Sequence, residues 1–470
     1  MILDSLFHPR SIAIVGASDA YFNAITQLFL DTLLQFKYKG KVYPVNPKFE
    51  KVSGLKCYPL LKDILDVVDH VISIVPAAAT PGLLDDCIDK GVKTLHLYTA
   101  GFAETDEKER GDLQERLVAR ARNSGVRMLG PNCMGLFVPS EGITYSPAFP
   151  MESGNVSFIS QSGSYSLIII RGAGARGVRF SKVVSYGNAC DIDECDLLEY
   201  LASDPETKII GAYIEGTRDG KRLHRVLAEA SSKKPVIVIK KGGTPAGSRG
   251  AVSHTGALAG DDKVWDSILR QTGVIRVEDA EEMIDMMTTF SFFPRPKSRR
   301  ALVLGNGGGP SVRAADDCER AGLVLPEAPD KLRQEMKKYF PVAGSMLRNP
   351  FDVGGYHFDW APVIDLLAKW DGADMMIWQI APDIEPFDKD LFYQFCLDQR
   401  AKWLKDFKTV NKPIAVSVHA SESDVAYNIL AITRRQCAEL GIAFYPSVYR
   451  VAKAIDRFIA YHERFGAVAE

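Results

Sequence analysis

His254 stands in SRGAVSHTGALAG, with Gly250 before it and Gly256 and Gly260 after it, in a chain that has only eight histidines. A buried histidine needs partners and a packed pocket, whereas Ala, Ser, Thr and Gly let a backbone come close to a ligand. The setting implies access. A neutral imidazole is a nucleophile near neutral pH, provided its second ring nitrogen has a fixed acceptor. Glu215, at the tip of the apolar run IIGAYIEG, is one such acceptor, although a glutamate at a strand end is also commonly a solvated one. In SFISQSGSYS, Ser160, Ser162 and Gly163 lie between an apolar run and an apolar helical stretch. Hydroxyls and free N–H groups at a helix start form an anion site, and they equally form an N-cap with no ligand.

These residues need a frame, and the chain supplies one. SIAIVGAS, KVYPVNP, HVISIVPA, TLHLYTAGF and VRMLGPN alternate with amphipathic stretches, which predicts a doubly wound parallel sheet. Gly16 and Ser18 then sit in the turn after the first strand, on the ligand-binding edge, with Lys48 and Pro76 after the second and third. Lys48 reads either as a phosphate partner or as an exposed turn lysine. A GxGxxG fingerprint is absent after Gly16. A second α/β unit runs from NVSFIS through KVVSYGN, KIIGAYIEG and PVIVIKKG. The Pro- and Arg-rich SFFPRPKSRR precedes a third, in which Asn306 and Gly307 to Gly309 follow a strand and admit an anion, a linking loop or a subunit contact. The expected domains are 1–140, 150–290 and 298–470.

With 57 basic and 59 acidic side chains and a pI near 6.5, the 470 residues carry no charge excess for nucleic acid or an anionic membrane. The start lacks a signal-peptide pattern and no apolar run reaches membrane-spanning length, so a cytoplasmic chain is expected. Eight cysteines without CxxC spacing read as reduced and structural. Cys190 and Cys195 lack companion ligands, so no metal is expected there.

Taken in order, KGKVYPVNPK, AGFAET, LGPNCMG, SFISQSGS, SYGNACDID, IEGTRDG and SRGAVSHTGALAG resemble the nucleoside-diphosphate-forming acyl-CoA synthetases, the family of ADP-forming acetyl-CoA synthetase and succinyl-CoA synthetase. The resemblance runs from about residue 5 to the C-terminus. It implies a Rossmann-like CoA-binding domain followed by two flavodoxin-like ligase domains, the first of which carries a phosphohistidine loop. It implies a relay: phosphate attacks acyl-CoA to give acyl phosphate, His254 accepts the phosphoryl group, and a mobile loop carries it to ADP on an ATP-grasp domain. Glu215 matches the family's Glu-Gly position. Ser160, Ser162 and Gly163 match the phosphate-proximal segment, and Gly16, Ser18, Lys48, Pro76 and Asn132 match segments lining the CoA site.

Two departures stand out. Where relatives carry a Pro-Gly-x-(Val/Ile)-Gly-like stretch, this chain reads Tyr21-Phe22-Asn23-Ala24-Ile25, with rings that either stack on a ligand or close the pocket. No ATP-grasp segment of roughly 200 residues remains after the third unit. The resemblance therefore implies a separate ATP-grasp beta subunit holding ATP or ADP with Mg2+, and a hetero-oligomer that takes a small carboxylate, CoA and phosphate. The competing expectation is a non-catalytic CoA or acyl-CoA sensor or scaffold. A sensor needs no phosphoryl acceptor, which argues against it. A dehydrogenase is disfavoured by the missing fingerprint.

Overall fold

The computed structural model describes residues 3–19, 24–105, 107–255, 260–305, 307–340, 346–352, 361–380, 391–418 and 423–466. Two compact units divide the chain: Met1–Arg171 with Arg179–Met283, and Gly172–Val178 with Ile284–Glu470.

The first unit holds two sheets. The first contains β1 (Ser11–Val15), β2 (Lys41–Val45), β5 (His70–Ser73), β6 (Thr94–Leu97) and β7 (Arg127–Leu129), all parallel. A small antiparallel ribbon, β3 (Lys51–Val52) and β4 (Leu55–Lys56), stands apart from it. The sheet order is β2-β1-β5-β6-β7, so the chain reverses direction across the sheet between β1 and β5. Helices α1 (Asp4–Phe7), α2 (Ala24–Gln35), α3 (Thr80–Lys90) and α4 (Lys108–Asn123) accompany it. The buried strands carry Ile12, Ala13, Val71, Leu95 and Met128, as a sheet with both faces covered requires.

The second sheet has β8 (Gly135–Phe137), β9 (Val156–Ser160), β10 (Phe180–Ser185), β11 (Ile209–Ile214), β12 (Val236–Lys240) and β13 (Ile275–Val277), in the order β13-β12-β11-β9-β10-β8. Only β8 is antiparallel. Its helices are α5 (Gly163–Gly174), α6 (Glu194–Ser203), α7 (Gly220–Lys233), α8 (Pro245–Thr255) and α9 (Asp262–Thr272). Every residue of β9, β11 and β12 is buried. Asp193, Asp219 and Asp261 cap α6, α7 and α9 through their carboxylates, each satisfying N–H groups that the first helical turn leaves open.

The second unit holds the third sheet: β14 (Ala301–Gly305), β15 (Met346–Leu347), β16 (Phe351–Asp352), β17 (Met375–Ile380), β18 (Ile414–Val418) and β19 (Ala443–Tyr445). The order is β15-β16-β14-β17-β18-β19, with β15 antiparallel. Its core packs Leu302, Trp378, Val416 and Phe444. A buried carboxylate, Asp285, accepts from Arg176 Nη1 at 2.5 Å and from Arg450 Nε at 2.6 Å.

Counting only the parallel strands of each sheet in chain order, all three sheets follow the pattern 2-1-3-4-5. In such a sheet a crevice opens beyond the carboxyl ends of the first and third strands, where the two adjacent connections leave in opposite directions. Gly16 and Pro76 follow those strands in the first sheet, and Ser160 ends and Glu215 follows them in the second. No helix among the described residues is long and apolar enough to cross a membrane.

Candidate functional site

At the switch point of the first sheet lies a cavity of about 790 Å³ lined by Gly16, Asn46, Lys48, Pro76, Asp86 and Thr99, among others. Its size suits a large small-molecule ligand. Gly16 has φ +99°, and a Cβ there would sit 3.4 Å from the Ile74 carbonyl carbon, so glycine lets the turn pass close over β5. Asn46 fixes the opposite wall: its Nδ2 donates to the Ala17 carbonyl at 2.8 Å and its Oδ1 accepts from Lys48 N at 3.0 Å. Lys48 is exposed at the rim. Of the five residues expected at this site, Gly16, Lys48 and Pro76 meet on the cavity. Ser18 is buried and does not line it, and neither does Asn132. Tyr21, Phe22 and Asn23 lie outside the described residues; Ala24 and Ile25 open α2, whose first side chains are likewise not described.

Asn132 belongs to a second arrangement that ties the motifs together. It follows the cis Gly130–Pro131 peptide with φ +59°, and its N–H donates to the Thr99 carbonyl at 3.1 Å. Its Nδ2 donates to Asn188 Oδ1 at 3.5 Å, and Asn188 Nδ2 donates to Glu104 Oε2 at 2.5 Å. Arg218 reaches the same loop, donating to the Cys190 carbonyl at 3.1 Å. Thus AGFAET, LGPNCMG, SYGNACDID and IEGTRDG converge. LGPNCMG also reaches SFISQSGS: a Cβ on Gly163 would lie 2.6 Å from Met134 Cγ. Helix α8 lies against the short turn Ala103–Thr105 of AGFAET.

The turn after β9 consumes its own hydroxyls. Ser160 Oγ is buried, donates to the Ser162 carbonyl at 2.7 Å and accepts from Ser162 N at 3.1 Å. Ser162 Oγ pairs with Ser164 Oγ at 3.0 Å and accepts from Tyr165 N at 3.4 Å. The two serines therefore shape the start of α5, a helix that opens at Gly163 and whose first-turn N–H groups have no intrahelical carbonyl partner.

Glu215 is 5 % exposed, so it is not the solvated strand-end glutamate. Tyr213 Oη donates to its Oε1 at 3.1 Å. Its backbone is held from β9: Gln161 Oε1 accepts from the N–H of Glu215 and, at 3.1 Å, from that of Gly216. Glu215 lines a second cavity, of about 600 Å³, with Lys240, Arg276 and the backbone of Gly247 and Gly250 on α8. Burial pushes the Lys240 ammonium down to about 8, against the opposing pull of Asp262 and Glu215. Nearby, burial raises the Glu194 carboxyl to about 7.

His254 sits on α8, one residue before its end, in a helix where the motif reading expects a loop. The run from Pro245 has Ala, Ser and Arg at helix-compatible spacing, and its glycines only weaken that preference. The side chain of His254 and residues 256–259 lie outside the described residues. Cys190 and Cys195 are buried free thiols. Among the described residues no three His, Cys, Asp or Glu side chains come together in a group that could hold a metal ion. His70 and His96 are buried in the first sheet, while His8 pairs with Glu141 at 3.0 Å. Gln161, Lys240 and Arg276 act through partners 54, 25 and 14 residues away, which the local sequence does not display.

Comparison with known proteins agrees with this arrangement. Residues 10–139 match the CoA binding domain model and residues 153–290 the succinyl-CoA ligase like flavodoxin domain model. The alpha subunit of an ADP-forming acetate–CoA ligase II from Pyrococcus furiosus is 39% identical over 352 residues, covering 75% of this chain and 76% of that one. An ADP-forming acetate–CoA ligase II from Archaeoglobus fulgidus is 31% identical over 483 residues, covering 98% of this chain and 67% of that one. Acetyl-coenzyme A synthetase 1 of Ca. Korarchaeum cryptofilum, solved with phosphate and ADP, superposes with a TM-score of 0.82 at 32% identity over 100% of this chain and 98% of that one. By its motifs, its three sheets and these likenesses, the chain belongs to the family of ADP-forming acyl-CoA synthetases.

Proposed function

We propose that this chain is the acyl-transferring part of an ADP-forming acyl-CoA synthetase, an acid–thiol ligase that reversibly converts carboxylate, CoA and ATP to acyl-CoA, ADP and phosphate. The observation that carries the reading is the cavity in which the buried Glu215 meets the helix bearing His254. We assign residues 1–140 to CoA binding, 150–290 to the histidine-bearing ligase domain and 298–470 to a second ligase domain.

In the direction of ATP synthesis, a phosphate oxygen attacks the thioester carbonyl carbon, the C–S bond breaks, and CoA leaves as thiolate and takes up a proton. The acyl phosphate is then attacked at phosphorus by a ring nitrogen of neutral His254. The P–O bond to the acyl group breaks and the carboxylate departs. Glu215, held by Gln161 and Tyr213, accepts the N–H of the other ring nitrogen and sets the tautomer. The N–H groups opening α5 at Gly163, in the turn shaped by Ser160 and Ser162, hold phosphoryl oxygens as charge moves among them. Gly16, Lys48 and Pro76 take the CoA in the first cavity; the Asn132 N–H holds Thr99, which lines it, and Ser18 is buried two residues after Gly16. The phosphohistidine serves ADP, with Mg2+, on an ATP-grasp beta subunit in a cytoplasmic hetero-oligomer.

Co-purification with that subunit, followed by CoA-dependent ADP formation from a panel of aliphatic and aromatic carboxylates, tests the reading. Turnover with at least one acid is expected. Tight CoA binding by calorimetry, with no exchange between acyl-CoA and phosphate, would make the chain a sensor instead.

A further inference from the structure

Lys240 ends the apolar strand β12, yet its side chain turns into the protein and the residue is only 4 % exposed. Its ammonium donates at 2.8 Å to the carbonyl of Glu215, the residue after the neighbouring strand β11, and also to the carbonyl of Lys241, the first residue after β12. It lies 4.9 Å from the ring centroid of Trp265, on the helix that resumes after the histidine segment. Trp265 is itself buried, and α9 is fixed there by its Asp261 cap. One cation therefore touches the turn that carries the acceptor, the point where the chain leaves toward His254, and the helix to which it returns. An ammonium has three donors in tetrahedral arrangement, which suits two carbonyls from adjacent strand ends plus a ring face. No apolar side chain can make those bonds.

We propose that Lys240 is a positioning residue: its ammonium fastens the Glu215 turn to the root of the histidine-bearing helix, so that the acceptor carboxylate and the departure point of His254 keep one geometry. The proposal rests on the phosphohistidine reading above. It assigns Lys240 no contact with the reacting atoms. Misplacing such a pair by about an ångström costs on the order of a hundredfold in rate.

The same geometry makes the effect charge-dependent. Facing the ammonium are Glu215 from the turn after β11, Asp262 from α9 and Arg276 from β13, with Lys241 beside it in sequence and Tyr213 and Glu278 on the same cavity. Arg276 Nη2 donates to Asp262 Oδ1 at 2.7 Å, so these two largely answer each other. Burial is the larger influence on the lysine and pushes it down to about 8. An arginine stays charged well above that pH.

The test uses the full chain with acetyl-CoA and 32P-phosphate, reading acid-labile, base-stable label on the protein, with Lys240→Met, Lys240→Arg and His254→Asn. Lys240→Met should label about 10- to 100-fold more slowly than the parent. The parent rate should fall as pH rises through about 8, and Lys240→Arg should keep labelling there. Protons on phosphate, thiol and imidazole are common to both proteins, so the difference between their profiles isolates residue 240. If Lys240→Met does not fold, judged by circular dichroism and its melting curve, the arginine profile alone decides. A methionine variant that labels within about twofold of the parent, or an arginine variant with the parent's alkaline decline, overturns the positioning role while leaving the His254 reading intact. A parent that takes no label, or His254→Asn that labels fully, overturns both.

Discussion

Gln161 and Glu215 are 54 residues apart, and the side-chain carbonyl of the first accepts the backbone N–H groups of the second and of Gly216. The glutamine comes from the turn after β9 and the glutamate from the end of β11, the two strands that flank the switch point of the second sheet. One side chain thus closes the crevice floor and fixes the backbone that carries the Glu215 carboxylate.

Gln161→Ala should uncouple these functions from the fold. Two buried N–H groups lose their acceptor, at a cost of about 1–3 kcal/mol each where water does not replace it. Urea unfolding should show a midpoint lowered accordingly, and phosphohistidine formation should fall by more than the loss of folded protein. An unchanged labelling rate would show that Glu215 is held by other means.

The CoA assignment predicts two different failures at one cavity. Lys48→Ala removes an exposed cation and should weaken CoA about tenfold at low ionic strength, with the difference shrinking as salt is raised. Gly16→Val places a branched side chain at φ +99°, strained for any L-residue, in the cavity wall, and should lose CoA binding at any salt concentration. Isothermal titration with CoA reads both. Equal affinity in all three proteins would remove CoA from this cavity.

Stability of the first sheet should respond to acid through His70 and His96. Both are fully buried, and burial holds them at about 3 and about 4, well below the ordinary histidine value. Between those values and about 6.5 the unfolded chain binds more protons than the folded one, so their contribution is complete above about pH 6.5 and declines as pH falls. From pH 7 to pH 5 each histidine should cost up to about 2 kcal/mol. A His70→Gln variant, which cannot take up that proton, should lose less stability over the same interval in urea titrations. A variant that tracks the parent at every pH would exclude His70 as a source.

Asp191 gathers Arg122 Nε at 2.5 Å, Arg127 Nε at 2.9 Å and the Met128 N–H at 2.8 Å. Its carboxylate is fully buried, so Asp191→Ala should destabilise the chain by about 1–3 kcal/mol, because the buried Met128 N–H loses its acceptor while Arg127 keeps Asp196. Thermal unfolding followed by circular dichroism checks this, and a change below about 1 kcal/mol would contradict it.

Much of the fold was legible because its strands are buried on both faces. Runs such as VSFIS, IIGAYI and VIVIK are continuous apolar segments bounded by turns, and each forms the strand expected of it. Lateral order was not legible, since placing β1 between β2 and β5 depends on pairings that leave no local mark. The same holds at the site. Gly16, Glu215 and the serine turn were visible as turn residues after apolar runs. Lys240 was not, because a lysine at a strand tip ordinarily reaches water, and here the Glu215 carbonyl 25 residues away draws it inward. What the serine turn does not display in sequence is that the Ser160 hydroxyl is already engaged by its own backbone, at the Ser162 carbonyl.

The phosphoryl group on His254 is the central claim, and it can be read directly. The full chain is incubated with acyl-CoA and 32P-phosphate, digested, and analysed by mass spectrometry under alkaline conditions that preserve phosphoramidates. The account predicts one labelled peptide spanning His254, no label in His254→Asn, and discharge of the label by ADP only when the ATP-grasp subunit is added. Label on another residue, or full labelling of His254→Asn, would contradict it.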